Sequence, residues 1–122
     1  MWNAAFCARP DDVSATRRQV EAHLRSEGVV EVDTVTLLTS ELLTNAVRHG
    51  SSPMSITVDV APEAVDVSVH DASPEAPVLR PMDPWRVGGN GVRVVDQLAT
   101  SWGTIQRADG KSVWFRLDRA LP

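Results

Sequence analysis

Two runs of strict alternation constrain this chain more than any other feature. Met54, Ile56, Val58 and Val60 alternate with Ser55, Thr57 and Asp59, and Val65, Val67 and Val69 alternate with Asp66 and Ser68. Successive side chains of a strand point to opposite faces, so each run carries one apolar and one polar face. Only Ala61-Pro62-Glu63-Ala64 separates them. A link that short joins neighbouring antiparallel strands, because a parallel return needs a dozen residues or more. The apolar face of this hairpin must be covered, and amphipathic helices are the natural cover.

Such helices precede and follow it. Trp2, Ala4, Phe6 and Ala8 alternate as a short first strand, and Pro10 with Asp11-Asp12 reads as a helix start. Val13, Val20 and Leu24, with Thr16-Arg17 completing the period, predict that helix up to Gly28. A second helix is predicted from about Glu31 to His49, closed by Gly50 as the residue just past its end, and Pro53 ends the region. From Ala72 to Asn90 the pattern dissolves into Pro74, Pro77, Pro81, Pro84, Gly88 and Gly89. A patternless stretch of that length is a functional lid or a disordered linker. Periodicity resumes at Gly91 with Val92, Val95, Leu98 and Ala99 as a short helix. Trp102 to Arg107 and Ser112 to Leu117 then form strands about a turn at Ala108-Asp109-Gly110-Lys111. The order defines an α+β chain, read as one domain over 1–122, with helices on one face of the sheet.

Composition excludes several classes. The 12 basic and 16 acidic residues give a net charge of −4 with no basic stripe, which argues against direct nucleic-acid binding. The lone Cys7 permits no intrachain disulfide and fits a reducing compartment. No apolar run approaches the ~20 residues of a membrane span, and Met1–Phe6 lacks the basic and apolar regions of a signal peptide. A soluble, cytoplasmic protein is expected. Lys111 is the only lysine and stands outside any glycine loop of the P-loop kind. His23, His49 and His70 are scattered without zinc-ligand spacing, and no G-x-S-x-G occurs.

Three polar features remain. On a wheel of ~100° per residue, Val35, Leu38, Leu42 and Ala46 share one arc, widened by Leu43 and Val47. Glu41 and Asn45, one turn apart, stack at its edge, and Arg48 lies beyond Glu41 toward solvent. The pair reads either as a holder of a metal–phosphate group or as an ordinary boundary pair. Asp71, expected half-buried at a strand end, reads as an acceptor for an exocyclic amine or as a turn aspartate bonding its own backbone. Gly88-Gly89-Asn90-Gly91 ahead of Val92 reads as an anion-binding helix start or as a linker. It is not a dinucleotide fingerprint, since Val94 fills the last glycine position. His49 reads as a partner of the last helix carbonyls or as a ligand.

Each feature is weak alone, but their order is distinctive. Glu41-Leu42-Leu43-Thr44-Asn45-Ala46-Val47-Arg48-His49-Gly50 resembles the N box of the GHKL ATP-binding superfamily. Asp71 stands in the place of its adenine-recognising aspartate, and Gly89-Asn90-Gly91 before Val92-Arg93-Val94-Val95 resembles its lid and following helix. Leu98-Ala99-Thr100-Ser101-Trp102-Gly103 and Gly110-Lys111-Ser112-Val113-Trp114 are similar to the short stand-alone bacterial anti-sigma-factor kinase branch.

The resemblance implies a Bergerat-type two-layer α/β sandwich with a mixed, largely antiparallel sheet and a lid at about 72–90. It implies ATP and Mg²⁺ as cofactors. Asn45 would bind the metal, Glu41 would serve as base or as orienting group for the attacking hydroxyl, and Arg48 would approach the phosphates. Asp71 would take the adenine amine, and Gly89 and Gly91 would let backbone amides reach the phosphates. The implied activity is serine/threonine phosphorylation of a small anti-sigma-factor antagonist, together with capture of a sigma factor. The alternative is a non-catalytic module whose nucleotide only shapes a surface that sequesters such a regulator. Self-association into a homodimer is left open.

Overall fold

A computed structural model describes residues 1–7, 9–73 and 91–120. The elements run β1 (Trp2–Phe6), α1 (Pro10–Ser26), α2 (Val32–His49), β2 (Met54–Val60), β3 (Ala64–Asp71), α3 (Gly91–Leu98), β4 (Ser101–Arg107) and β5 (Gly110–Asp118). Five strands form one sheet in the order β1-β2-β3-β5-β4. Every pairing among them is antiparallel, so the sheet expected to be mixed and largely antiparallel is antiparallel throughout the described strands. The physical reason is the connectivity. β2–β3 and β4–β5 are hairpins, and β5 enters between β3 and β4 antiparallel to both.

The core lies between this sheet and the helices. Ile56, Val58, Val65, Val67, Val69, Val113 and Phe115 are buried from the sheet side. Val20 and Leu24 of α1 and Val35, Leu38, Leu42, Leu43 and Ala46 of α2 meet them. The α2 set recurs at spacings of three and four, which is the stripe that helical periodicity requires. The opposite face is polar: Thr57, Ser68 and Trp114 stand in register across β2, β3 and β5. Trp114 packs there against Gly103, where an added Cβ would come within 3.2 Å of the indole.

The helix ends are set by different devices. Pro10 opens α1, where its missing N–H costs no hydrogen bond. Gly28 follows α1 with φ 70° and donates to the Arg25 carbonyl, while Val29 donates to Leu24; the stop expected at that glycine is a left-handed one. Gly50 does donate to the Ala46 carbonyl at 2.7 Å, but its φ of −93° and ψ of −176° are extended. No left-handed cap exists at that end. Among the described residues no helix is long and apolar enough to cross a membrane.

Candidate functional site

Glu41 and Asn45 lie one turn apart on α2, both half-buried, between the core stripe and the exposed Arg48. Burial pushes the Glu41 carboxyl above its ordinary value, and the charge of Arg48 draws it part of the way back. A carboxylate poorly solvated in its charged form is a better proton acceptor than one in water. His49 is exposed at the last residue of the helix.

The C-terminal end of α2 abuts the end of β3. An added Cβ on Gly50 would sit 2.5 Å from the Ala46 carbonyl oxygen and 2.8 Å from Cγ of Asp71. The Ala72 amide donates to the Ser51 carbonyl at 2.8 Å, tying the two segments together. Gly50 is therefore needed for close approach to Asp71, and not for a helix cap.

Asp71 is the best-defined group of the site. Only 1% of it is exposed, so the half-buried side chain expected from the strand end is corrected to a fully buried one. The cause is enclosure by groups that complement it. Lys111 Nζ lies 3.2 Å from Oδ2 and donates to Oδ1 at 3.4 Å. The Ser73 amide donates to Oδ1 at 2.7 Å, so the expected turn aspartate is present as well. Gly110, at φ 144°, crosses directly over the Asp71 carbonyl and the Ala72 Cα, where no side chain fits. Lys111 and Asp71 are paired in the β3–β5 register.

Of the residues expected to hold nucleotide, α2 therefore carries Glu41, Asn45 and Arg48, and its end meets Asp71. Gly91 is the first residue of α3, and α2 packs against α3. Gly89 and residues 74–90 of the expected lid lie outside the described residues. Ala72 and Ser73, also assigned to the lid, are held by Ser51 and Asp71. Among the described residues no group of three or more His, Cys, Asp or Glu side chains is arranged for a metal. The donor set fits Mg²⁺ only if a single neutral oxygen such as that of Asn45 supplements phosphate and water, which is how Mg²⁺ is commonly held.

Sequence reasoning missed Lys111, Gly50 and Gly110 as parts of this site. The signal for Lys111 was available: it alternates with Val113 and Phe115, which places the only lysine of the chain on the core face of β5.

Residues 6–117 match the histidine kinase-like ATPase domain family, and the chain belongs to it. ATP is the ligand that this membership assigns. Among solved structures, the RsbU and RsbW domains of Rv1364c from Mycobacterium tuberculosis superpose with a TM-score of 0.70. They are 16% identical over 99% of this chain and 33% of that one, so the chain spans about a third of that protein's length and the likeness is one of fold. The histidine kinase domain of the Erythrobacter litoralis EL346 blue-light activated histidine kinase gives a TM-score of 0.48 at 24% identity, over 70% of this chain and 43% of that one. No curated protein matches the sequence.

Proposed function

We propose that the chain binds Mg-ATP between α2, the end of β3 and the start of α3, and transfers its terminal phosphoryl group to a serine or threonine of a small regulatory partner. The observation that carries this reading is that α2, the helix that bears Glu41 and Asn45, ends at Gly50 in close contact with Asp71. Asn45 would hold the metal through its amide oxygen. The metal would supply neutralisation of charge on the phosphates. Glu41, whose carboxyl burial raises, would take the proton of the attacking hydroxyl. Arg48, exposed about two turns beyond Glu41, would approach the phosphates, as would the backbone amides at Gly89 and Gly91. Asp71 would accept the adenine amine. Phosphoryl transfer rests mainly on positioning and charge, so this small set is sufficient. The RsbW domain in the fold neighbour's name supports a partner of the anti-sigma-factor antagonist kind, with a sigma factor as a second target.

The test separates two neighbours on one helix. Asn45→Ala should weaken Mg-ATP binding itself. Glu41→Gln should leave binding intact and slow transfer from labelled ATP to a partner by about 10²–10⁴-fold. Transfer at the wild-type rate by Glu41→Gln sinks the assignment of the base. Wild-type protein that binds Mg-ATP and phosphorylates no candidate antagonist makes the chain a nucleotide-dependent binding module instead.

A further inference from the structure

Lys111 is the only lysine in the chain and, among the described residues, one of the most buried charged groups. Its side chain is 3% exposed and that of its partner Asp71 is 2% exposed. A buried ion pair is seldom kept for stability, because desolvation offsets most of the attraction. Gly50 is needed where the helix end closes on the carboxylate, and Gly110, beside Lys111, is needed where the chain passes over the Asp71 backbone. An apolar pair of similar size would fill the same position without the cost of desolvating two charges. The arrangement therefore points to a demand on the state of the carboxylate.

That demand follows from chemistry. An isolated carboxyl buried to this degree takes up a proton and becomes both donor and acceptor. A carboxylate facing an ammonium stays ionised and is acceptor-only. Lys111 reaches both oxygens of Asp71, and the Ser73 amide fixes the rotation of the group. An acceptor-only group selects an amine. It repels an oxygen at the same place, since lone pairs would face lone pairs, whereas a protonated carboxyl donates to that oxygen and tolerates it.

We propose that Lys111 is a specificity-determining positioning residue: by pairing with Asp71 in the floor of the site it keeps the carboxylate ionised and oriented, so that the site takes 6-amino and rejects 6-oxo purine nucleotides. This rests on the ATP-binding reading of the site and assigns its base selectivity to a residue that does not itself bind the base.

The experiment reads the free protein first. The Asp71 carboxyl carbon is followed by NMR through a pH titration in wild type and Lys111→Met. The midpoint should be higher in Lys111→Met than in wild type, because the opposite charge that favours the ionised form has been removed. An unchanged midpoint overturns the proposal. Lys111→Gln, which keeps a donor without the charge, is read in the same way should the methionine variant not fold. Lys111→Arg should restore the wild-type titration.

ATP and GTP affinities are then measured in the same proteins across the pH range of that titration. The ATP/GTP ratio should be flat in wild type and Lys111→Arg. In the uncharged variants it should fall as pH falls, by about tenfold or more. A ratio independent of pH in the uncharged variants, with ATP still bound by wild type, refutes the role of Lys111 alone. Wild type that binds no nucleotide refutes the ATP reading and the specificity role with it.

Discussion

Substitution of Gly50 distinguishes two physical accounts of one glycine. A glycine just past a helix is commonly there because its φ is positive, and asparagine then substitutes with little loss. Gly50 has φ −93°, so backbone strain is not the issue. The cost of a side chain is steric: its Cβ would lie 2.8 Å from Cγ of Asp71, where carbon atoms prefer about 3.5–4.0 Å. Neither neighbour yields readily. The Ala46 carbonyl accepts the Gly50 N–H, and Asp71 is held by Lys111 and Ser73. Relief requires α2 to lift from β3 or the buried ion pair to be disturbed. Overpacking of this kind costs about 1–3 kcal/mol for Gly50→Ala. Gly50→Asn, being larger, should be worse. Gly28 is the internal control, with φ +70° and nothing within 4 Å of an added Cβ; there asparagine should be tolerated better than alanine. Urea denaturation of the four variants, with slopes matching wild type, measures the order directly. If Gly50→Asn proves as stable as Gly50→Ala or more so, the steric account is wrong and the glycine is a cap after all.

Three further outcomes are expected. Because burial raises the folded-state pKa of Glu41, its charged form destabilises the protein above that pKa, and the penalty disappears below the ordinary carboxylate value of about 4.3. Glu41→Gln should therefore be more stable than wild type at neutral pH, with the gap closing on acidification; thermal melts showing a constant gap would contradict this. Thr39 is 0% exposed and its hydroxyl has no partner among the described residues, so Thr39→Val should stabilise by about 1–3 kcal/mol in chemical denaturation, and a loss of stability would mean that the hydroxyl is satisfied in solution. Phe115, 0% exposed between Val67 and Trp102 in the sheet register, should cost about 3–5 kcal/mol when cut to alanine; a loss below 1 kcal/mol in the same assay would place the core elsewhere.

What the sequence by itself determined was whatever depends on neighbours along the chain. Alternation at Met54–Val60 and Val65–Val69 dictated the central hairpin, and the three-four spacing of Val35, Leu38, Leu42 and Ala46 dictated α2 and its buried face. The same wheel placed Glu41 and Asn45 together at the edge of that face, and the order of short motifs gave the family that residues 6–117 match. The tertiary structure alone decided the contacts between segments distant in sequence. Gly50 was legible as a glycine after a helix, but its purpose arises from Asp71 on a strand that packs against the helix end. Asp71 was legible as a strand-end acid, but its burial arises from Lys111, forty residues away in the chain and opposite it in the β3–β5 pairing. Periodicity assigns each residue to a face. It carries no information on which strand lies beside which, and here that adjacency puts the only lysine against the buried carboxylate of Asp71.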